Sequence, residues 1–479
     1  MYTDKDFKLK KSLKIETSND FFNKYLYGDR EKQKICNSTD KSIDDVFTFF
    51  EDVFKKENIS SYFNENIDYF DILHIIYEQI SNFIIGILST NSDEDATSIF
   101  ESLNSKGKPL DQSDLIKNKI FSELIEKEPL DKAKNCWNEI KKNLETKTVN
   151  DNNFPFTDLD DFINIYWKEN IDNTSTNKIY ANFKSKIENK EITSEEFLED
   201  LRVYSKEFGI IYGDKSNFHF SKEHWSEIKN YINLLVDDLK IKQTYPILLQ
   251  IMHCYNLNLI KEKTIIKNLK YMANFHIIYN DILNGKGNML HYDKHARILR
   301  KILMNKGSDF NESKSQIISD KLKDMRKELS GLLPKEKIAF NNALEQYCND
   351  ENLSYTNKID TKNQKKINNK TRNILNNYSI LVNNNVSEGT NIEHIYLDSA
   401  TDDITHSIGN LIILSIEDNS KLSNKRISEK KAYYEKITNN NDVSKLVHSG
   451  FFDENNKDIE IKNRKKYMFE EIYNSIKNG

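Results

Sequence analysis

The spacing of apolar residues along the chain is mostly that of a helix. In DDVFTFFEDVFKK, residues 44 to 56, Val46, Phe47, Phe50, Val53 and Phe54 fall on one side, a stripe expected to serve as ordinary core. A second helix is expected from Ile67 to Ile80. The run NFIIGILST that follows is compact, β-branched and bounded by polar residues, so it reads as a short buried strand. Helical spacing returns in DEDATSIFESLN. After Gly107 and Pro109, Ser113 stands where an N-cap would start a helix through Ile125. From about 130 to 350 one amphipathic helix follows another, among them AKNCWNEIKKNL, DLDDFINIYWKE and TIIKNLKYMANFHIIYNDIL. No motif recurs with a period of roughly 20 to 50 residues, so a helical bundle is expected and not a solenoid.

Residues 351 to 370 are almost devoid of large apolar groups and read as a linker running into a basic helix start. After Asn383 the pattern changes. NIEHIYLD and GNLIILS are short β-type runs separated by a polar loop and followed by a helical stretch, NKRISEKKAYYEKIT. The expected fold is mainly α, a multi-helical region ending in a small strand–loop–strand–helix unit. Its expected partition is residues 1–128, 129–350 and 351–479.

Composition agrees with this picture. Only 13 Gly and 5 Pro leave too few turns for a sandwich or barrel, and 26 Phe with 24 Tyr can fill real cores. The longest apolar run, Phe83 to Leu88, is far too short to span a membrane, and no apolar stretch follows the basic N-terminus, so a cytoplasmic protein is expected. Cys36, Cys136, Cys254 and Cys348 form no C-x-x-C pair, which argues against a disulfide framework or zinc knuckle. The net charge of −5 gives no general attraction to nucleic acid. Residues 361–479, however, hold 18 basic and 16 acidic side chains, so any such contact would be local and C-terminal.

The chemistry is concentrated in the C-terminal unit. Glu393 and His394 lie on its first strand, Asn410 heads the second, and Asn419 precedes the helix. Phosphodiester hydrolysis needs a base to activate water, which a neutral imidazole supplies, and a hard cation to hold the phosphate. Mg²⁺ keeps several waters, so one carboxylate and one amide oxygen suffice as protein ligands, and Glu393 and Asn419 could provide them. Neighbouring strand residues point to opposite faces, so Glu393 and His394 could share a cation only if the strand bulged or ended there.

The sequence IEHIYLD…HSIGNLIILSIEDNSKLSN…SEKKAYY resembles the C-terminal HNH, or ββα-metal, nuclease domain of the GmrSD family of type IV restriction endonucleases. The resemblance implies His394 as general base, Asn410 as the residue that steadies its loop, and Glu393 with Asn419 facing Mg²⁺ or Mn²⁺. Contacts to nucleic acid would come from His406, Lys425, Arg426 and Lys430. Leu397 stands where the family usually has Pro. Upstream, ATSIFESLNSKGKPLDQSDLIKNKIF, from Ala96 to Phe121, resembles the end of the family's N-terminal domain, with Asn104, Gly107, Pro109, Leu110, Asp114 and Leu115 in order. The DGQQR motif that the family associates with nucleotide use is absent. The resemblance therefore implies a nuclease subunit acting on modified or foreign DNA, with any NTP handled by a second, DGQQR-bearing chain.

Plainer readings stand beside these. His394 alone would pass for a satisfied buried histidine, and the ordered set is what lifts it. His291 and His295, spaced i, i+4, have no third ligand near them in sequence and are expected at the surface. Tyr433 and Tyr434 are expected to pack the helix against the hairpin, and the basic runs KNQKKINNKTR and IKNRKKYMF could be solvated faces. An inactive DNA-binding scaffold is the alternative function, and an RNA-cutting toxin a third.

Overall fold

The structure is a computed structural model that describes residues 19–27, 33–35, 38–63, 67–84, 111–124, 130–144, 159–212, 215–283, 285, 290–305, 311–347, 353–356, 361–383, 389–397, 403–422, 425–437, 439–449 and 451–477. The described residues are mainly helical and form two compact units. The first is Met1–Leu159 with Lys190–Leu198, and the second Asp160–Asn189 with Glu199–Gly479. No described helix is long and apolar enough to cross a membrane.

In the first unit, helices run over Ser38–Val53, Tyr69–Ser81, Gln112–Leu124 and Leu130–Leu144. Asp68 caps the second of these, its carboxylate accepting from the Phe70 amide at 3.1 Å, which supplies one orphan donor of the first turn. Two expectations are corrected here. The stripe on Ser38–Val53 is not core, because Val46 and Phe50 are about half exposed. Ser113 is buried within the first turn of Gln112–Leu124 and does not cap it. The expected strand at NFIIGILST lies outside the described residues from Ile85 onward, and Phe83 and Ile84 belong to no regular element and are exposed. The DEDATSIFESLN helix and the Asn104 to Leu110 motif also lie outside them.

The second unit is built on long buried helices, among them Leu159–Asn170, Tyr245–Asn256, Glu262–His276 and Tyr292–Met304. Tyr245–Asn256 is buried on nearly every face, as an almost wholly apolar helix must be. His295 is not at the surface as expected. It is buried, and its Nε2 lies 3.2 Å from the Glu328 carboxylate, a partner far away in sequence.

The stretch around 351–370 is more than a linker. Leu353 is fully buried, Ser354 forms an antiparallel bridge with Ser407, and a helix already runs from Lys362 to Asn383. That helix holds the preceding segment through side chains one turn apart. Asn368 accepts from the Thr356 amide and donates to its carbonyl at 2.7 Å, and the Thr371 hydroxyl donates to the Ser354 carbonyl at 2.8 Å.

Strand β1, Thr390–His394, pairs antiparallel with β2, Leu411–Ser415, in an unbroken register from Thr390↔Ser415 to His394↔Leu411. All of Leu411 to Leu414 are buried, so both faces of the hairpin are covered. Helices Ile416–Leu422, Ile427–Tyr434, Asn441–Val447 and Lys457–Lys477 follow. Ile412, Leu414, Leu422, Tyr434 and Leu446 share one apolar cluster with Ile395 and Tyr396.

Candidate functional site

Asn410 organises the chain around His394. Its side chain is fully buried, and its amide nitrogen donates to the carbonyls of Tyr396 at 2.9 Å and Thr405 at 2.7 Å. Its Oδ1 accepts from the Tyr396 amide at 2.8 Å, and its own carbonyl accepts from the Ile395 amide. One amide side chain thus satisfies three backbone groups of the two chain segments that leave β1 and enter β2, which only Asn or Gln chemistry can do. The residues on either side are fixed from the last helix. Arg464 donates to the carbonyls of Gly409 at 2.9 Å and Leu411 at 2.7 Å, and is itself paired with Asp442 at 2.7 Å.

His394 sits at the end of β1, largely buried, with Nε2 3.1 Å from the Tyr355 carbonyl. A carbonyl can only accept, so Nε2 carries the proton, and in a neutral ring Nδ1 is then the basic nitrogen. Tyr355 also lies beside the imidazole, the ring centroids 6.2 Å apart. The His406 ring meets the same imidazole edge to face at 6.2 Å, and the His406 carbonyl accepts from the Tyr355 amide at 2.9 Å. Arg372, half-buried on the Lys362–Asn383 helix, donates to the Tyr355 hydroxyl at 2.9 Å and stacks 5.5 Å from its ring centre. The rings of His406 and Tyr355 therefore flank the histidine, and Arg372 lies against Tyr355; sequence reasoning gave Tyr355 and Arg372 no role. The only signal for them was a tyrosine in a stretch otherwise poor in large apolar groups.

Glu393 lies on the opposite face. With no bulge in the ladder it shares a face with its cross-strand partner Ile412, while His394 shares the other with Leu411. Its Oε1 is 2.5 Å from the ammonium of Lys430, which also donates to the His394 carbonyl. Burial raises the Glu393 carboxyl above its ordinary range, and the hydrogen bond and charge of Lys430 offset part of that rise. Lys430 is 1% exposed, so it faces the hairpin and not a phosphate in solvent.

The remaining candidates are spread around the unit. Asn419 is on the Ile416–Leu422 helix, half-buried. Lys425 sits 5.5 Å over the Tyr433 ring. Arg426 is exposed at the start of Ile427–Tyr434, beside a cleft of about 940 Å³ that Leu397, Thr405 and Lys457 also line. As expected, Tyr434 is buried against the hairpin, and the Tyr433 hydroxyl bonds Asp418 at 2.8 Å.

The residues present do not fit the cation that the resemblance implies. Glu393 is turned away from His394, and its carboxylate is already neutralised by a buried ammonium that a divalent ion would have to displace. Among the described residues no group of three or more His, Cys, Asp and Glu is placed to hold a metal ion.

Comparison with known families locates a relationship at the other end of the chain. Residues 2–121 match the GmrSD restriction endonuclease, N-terminal domain. The match takes in the Ala96 to Phe121 segment on which a resemblance was read, and it also reaches back over Ser38–Val53 and Tyr69–Ser81. No curated protein matches the chain.

Proposed function

From the match of residues 2–121 to the GmrSD restriction endonuclease N-terminal domain, we propose that the chain is the DNA-cutting subunit of a GmrSD-like defence system, with a ββα-type nuclease in residues 351–479. The observation that supports this most is the imidazole of His394, held through Nε2 by a backbone carbonyl, the tautomer that puts the basic lone pair on Nδ1. In the proposed step Nδ1 takes a proton from water as its oxygen bonds to phosphorus. The P–O bond to the leaving oxygen breaks, and solvent protonates that oxygen. Asn410 keeps His394 in register by fixing the loop, and Lys430 does so from below by holding the His394 carbonyl.

Modified or foreign DNA is the proposed substrate, and a second, DGQQR-bearing chain the proposed nucleotide-binding partner. Dependence on Mg²⁺ or Mn²⁺, which the resemblance implies and the Glu393–Lys430 pair does not favour, is for the assay to measure. No step above runs through the cation, given the Glu393–Lys430 pair. The test incubates the purified chain, alone and with its genetic neighbour, with plasmid and phage DNA in Mg²⁺, in Mn²⁺ and in EDTA. His394→Ala is expected to abolish cutting, a loss of at least about a hundredfold for a general base. Cutting that survives the substitution would remove His394 from the role, and cutting of RNA alone would change the substrate class.

A further inference from the structure

Resting on that reading, we propose that Arg372, steadied by Tyr355, is the phosphate-binding group of the site, and that this half of the site comes from outside the hairpin unit. The Lys362–Asn383 helix carries Asn368, Thr371 and Arg372 at i, i+3 and i+4, so all three emerge on one face. The first two grip the backbone of Ser354 and Thr356. Tyr355 between them is thereby held with its carbonyl on His394 Nε2 and its hydroxyl on Arg372.

The donor count points to an anion. A guanidinium has five N–H donors, and among the described residues only one hydrogen bond from Arg372 is made, to Tyr355. No ion pair to Arg372 is formed among them. Asp238, whose carboxyl feels the charge of Arg372, is hydrogen-bonded instead by Asn376 at 3.2 Å. Because the Tyr355 oxygen accepts from Arg372, its own O–H is left to donate. The result is a half-exposed cation and a phenol donor, both oriented, one aromatic ring away from the imidazole. A phosphodiester is the ligand class that uses a planar cation fork and an added hydroxyl donor beside a base.

The test measures binding of a short labelled DNA duplex to the full chain over a range of salt, in EDTA and on ice, with cutting assayed separately. Arg372→Ala is expected to weaken binding about tenfold at low salt and to make the salt dependence shallower by about 0.7 to 0.9 in slope. Arg372→Lys should keep the slope, and Tyr355→Phe, which removes the hydroxyl that Arg372 donates to, should weaken duplex binding in the same direction as Arg372→Ala. A thermal melt matching wild type guards against a folding artefact, and a purely structural Arg372 would leave the salt slope where it was. If cutting depends on His394 while Arg372→Ala binds and cuts like wild type, this inference is overturned and the nuclease reading stands. If no variant cuts but Arg372→Ala loses the salt-dependent term, the nuclease reading falls and the phosphate contact stands. A wild-type chain that does not bind the duplex at low salt overturns the inference.

Discussion

Lys430 shows how a single side chain can reverse its meaning between sequence and structure. In sequence it is one of several lysines on a helix beside a nuclease-like motif, and such residues are usually solvated. In the fold its ammonium is buried between the Glu393 carboxylate and the His394 carbonyl. Nothing in hydrophobic periodicity distinguishes a lysine that turns inward from one that does not, since both count as polar positions. The role of Asn410 entered through the family resemblance alone; nothing in its spacing announces the bonds its side chain makes to the Tyr396 and Thr405 carbonyls. Replacing Lys430 by Met leaves a buried carboxylate alone, and a loss of roughly 3 kcal/mol is expected from urea unfolding at neutral pH. The double change Lys430→Met with Glu393→Leu should recover most of it. If the single change leaves the unfolding midpoint unmoved, Lys430 does not hold the hairpin.

At the scale of elements, the hairpin and the Ile427–Tyr434 helix were visible from period and order, whereas the Ile416–Leu422 helix, which takes in Asn419 where a loop was expected, and the pieces that complete the site were not. The segment 353–356 contains only four described residues and a single isolated bridge, to Ser407, yet it contacts both histidines. A bridge between Ser354 and Ser407, or a bond from Asn368 to a backbone in front of its own helix, leaves no periodic trace. The misread stripe on Ser38–Val53 has the converse cause: amphipathic spacing says that a face is apolar but not that a described neighbour covers it. A further element contact is readable only in three dimensions. A Cβ on Gly409 would come within 2.0 Å of the Ile461 carbonyl oxygen on the last helix, a backbone atom that cannot swing aside. Gly409→Ala is therefore expected to push the Lys457–Lys477 helix off the hairpin and cost on the order of 2 kcal/mol or more. Hydrogen exchange at the Asn410 and Tyr396 amides should rise with it, and protection unchanged from wild type would show that this contact can relax.

Within the second unit, charge state and packing are also coupled through buried groups that the candidate site does not use. His276 is fully buried, and burial pushes its imidazole down to about 4, an Asn280 hydrogen bond opposing the shift. Unfolding restores a pKa near 6.5, so between those values the unfolded chain binds the extra proton, and stability falls as the pH drops through that window. Asp281, a few residues on, works the other way. Burial raises its carboxyl to about 6, so between about 6 and 3.8 it is the folded chain that holds the proton, and stability rises as the pH drops. The two groups oppose each other over much of the same range, and the acid side of the stability curve should be flatter than either alone would make it. Removing one should expose the other. His276→Phe is expected to raise the urea midpoint at pH 5 relative to pH 7, and Asp281→Asn to lower it, each by roughly 1 to 2 kcal/mol equivalent. Curves that shift in parallel for both variants would mean that these groups meet solvent protons in the folded state as freely as in the unfolded one.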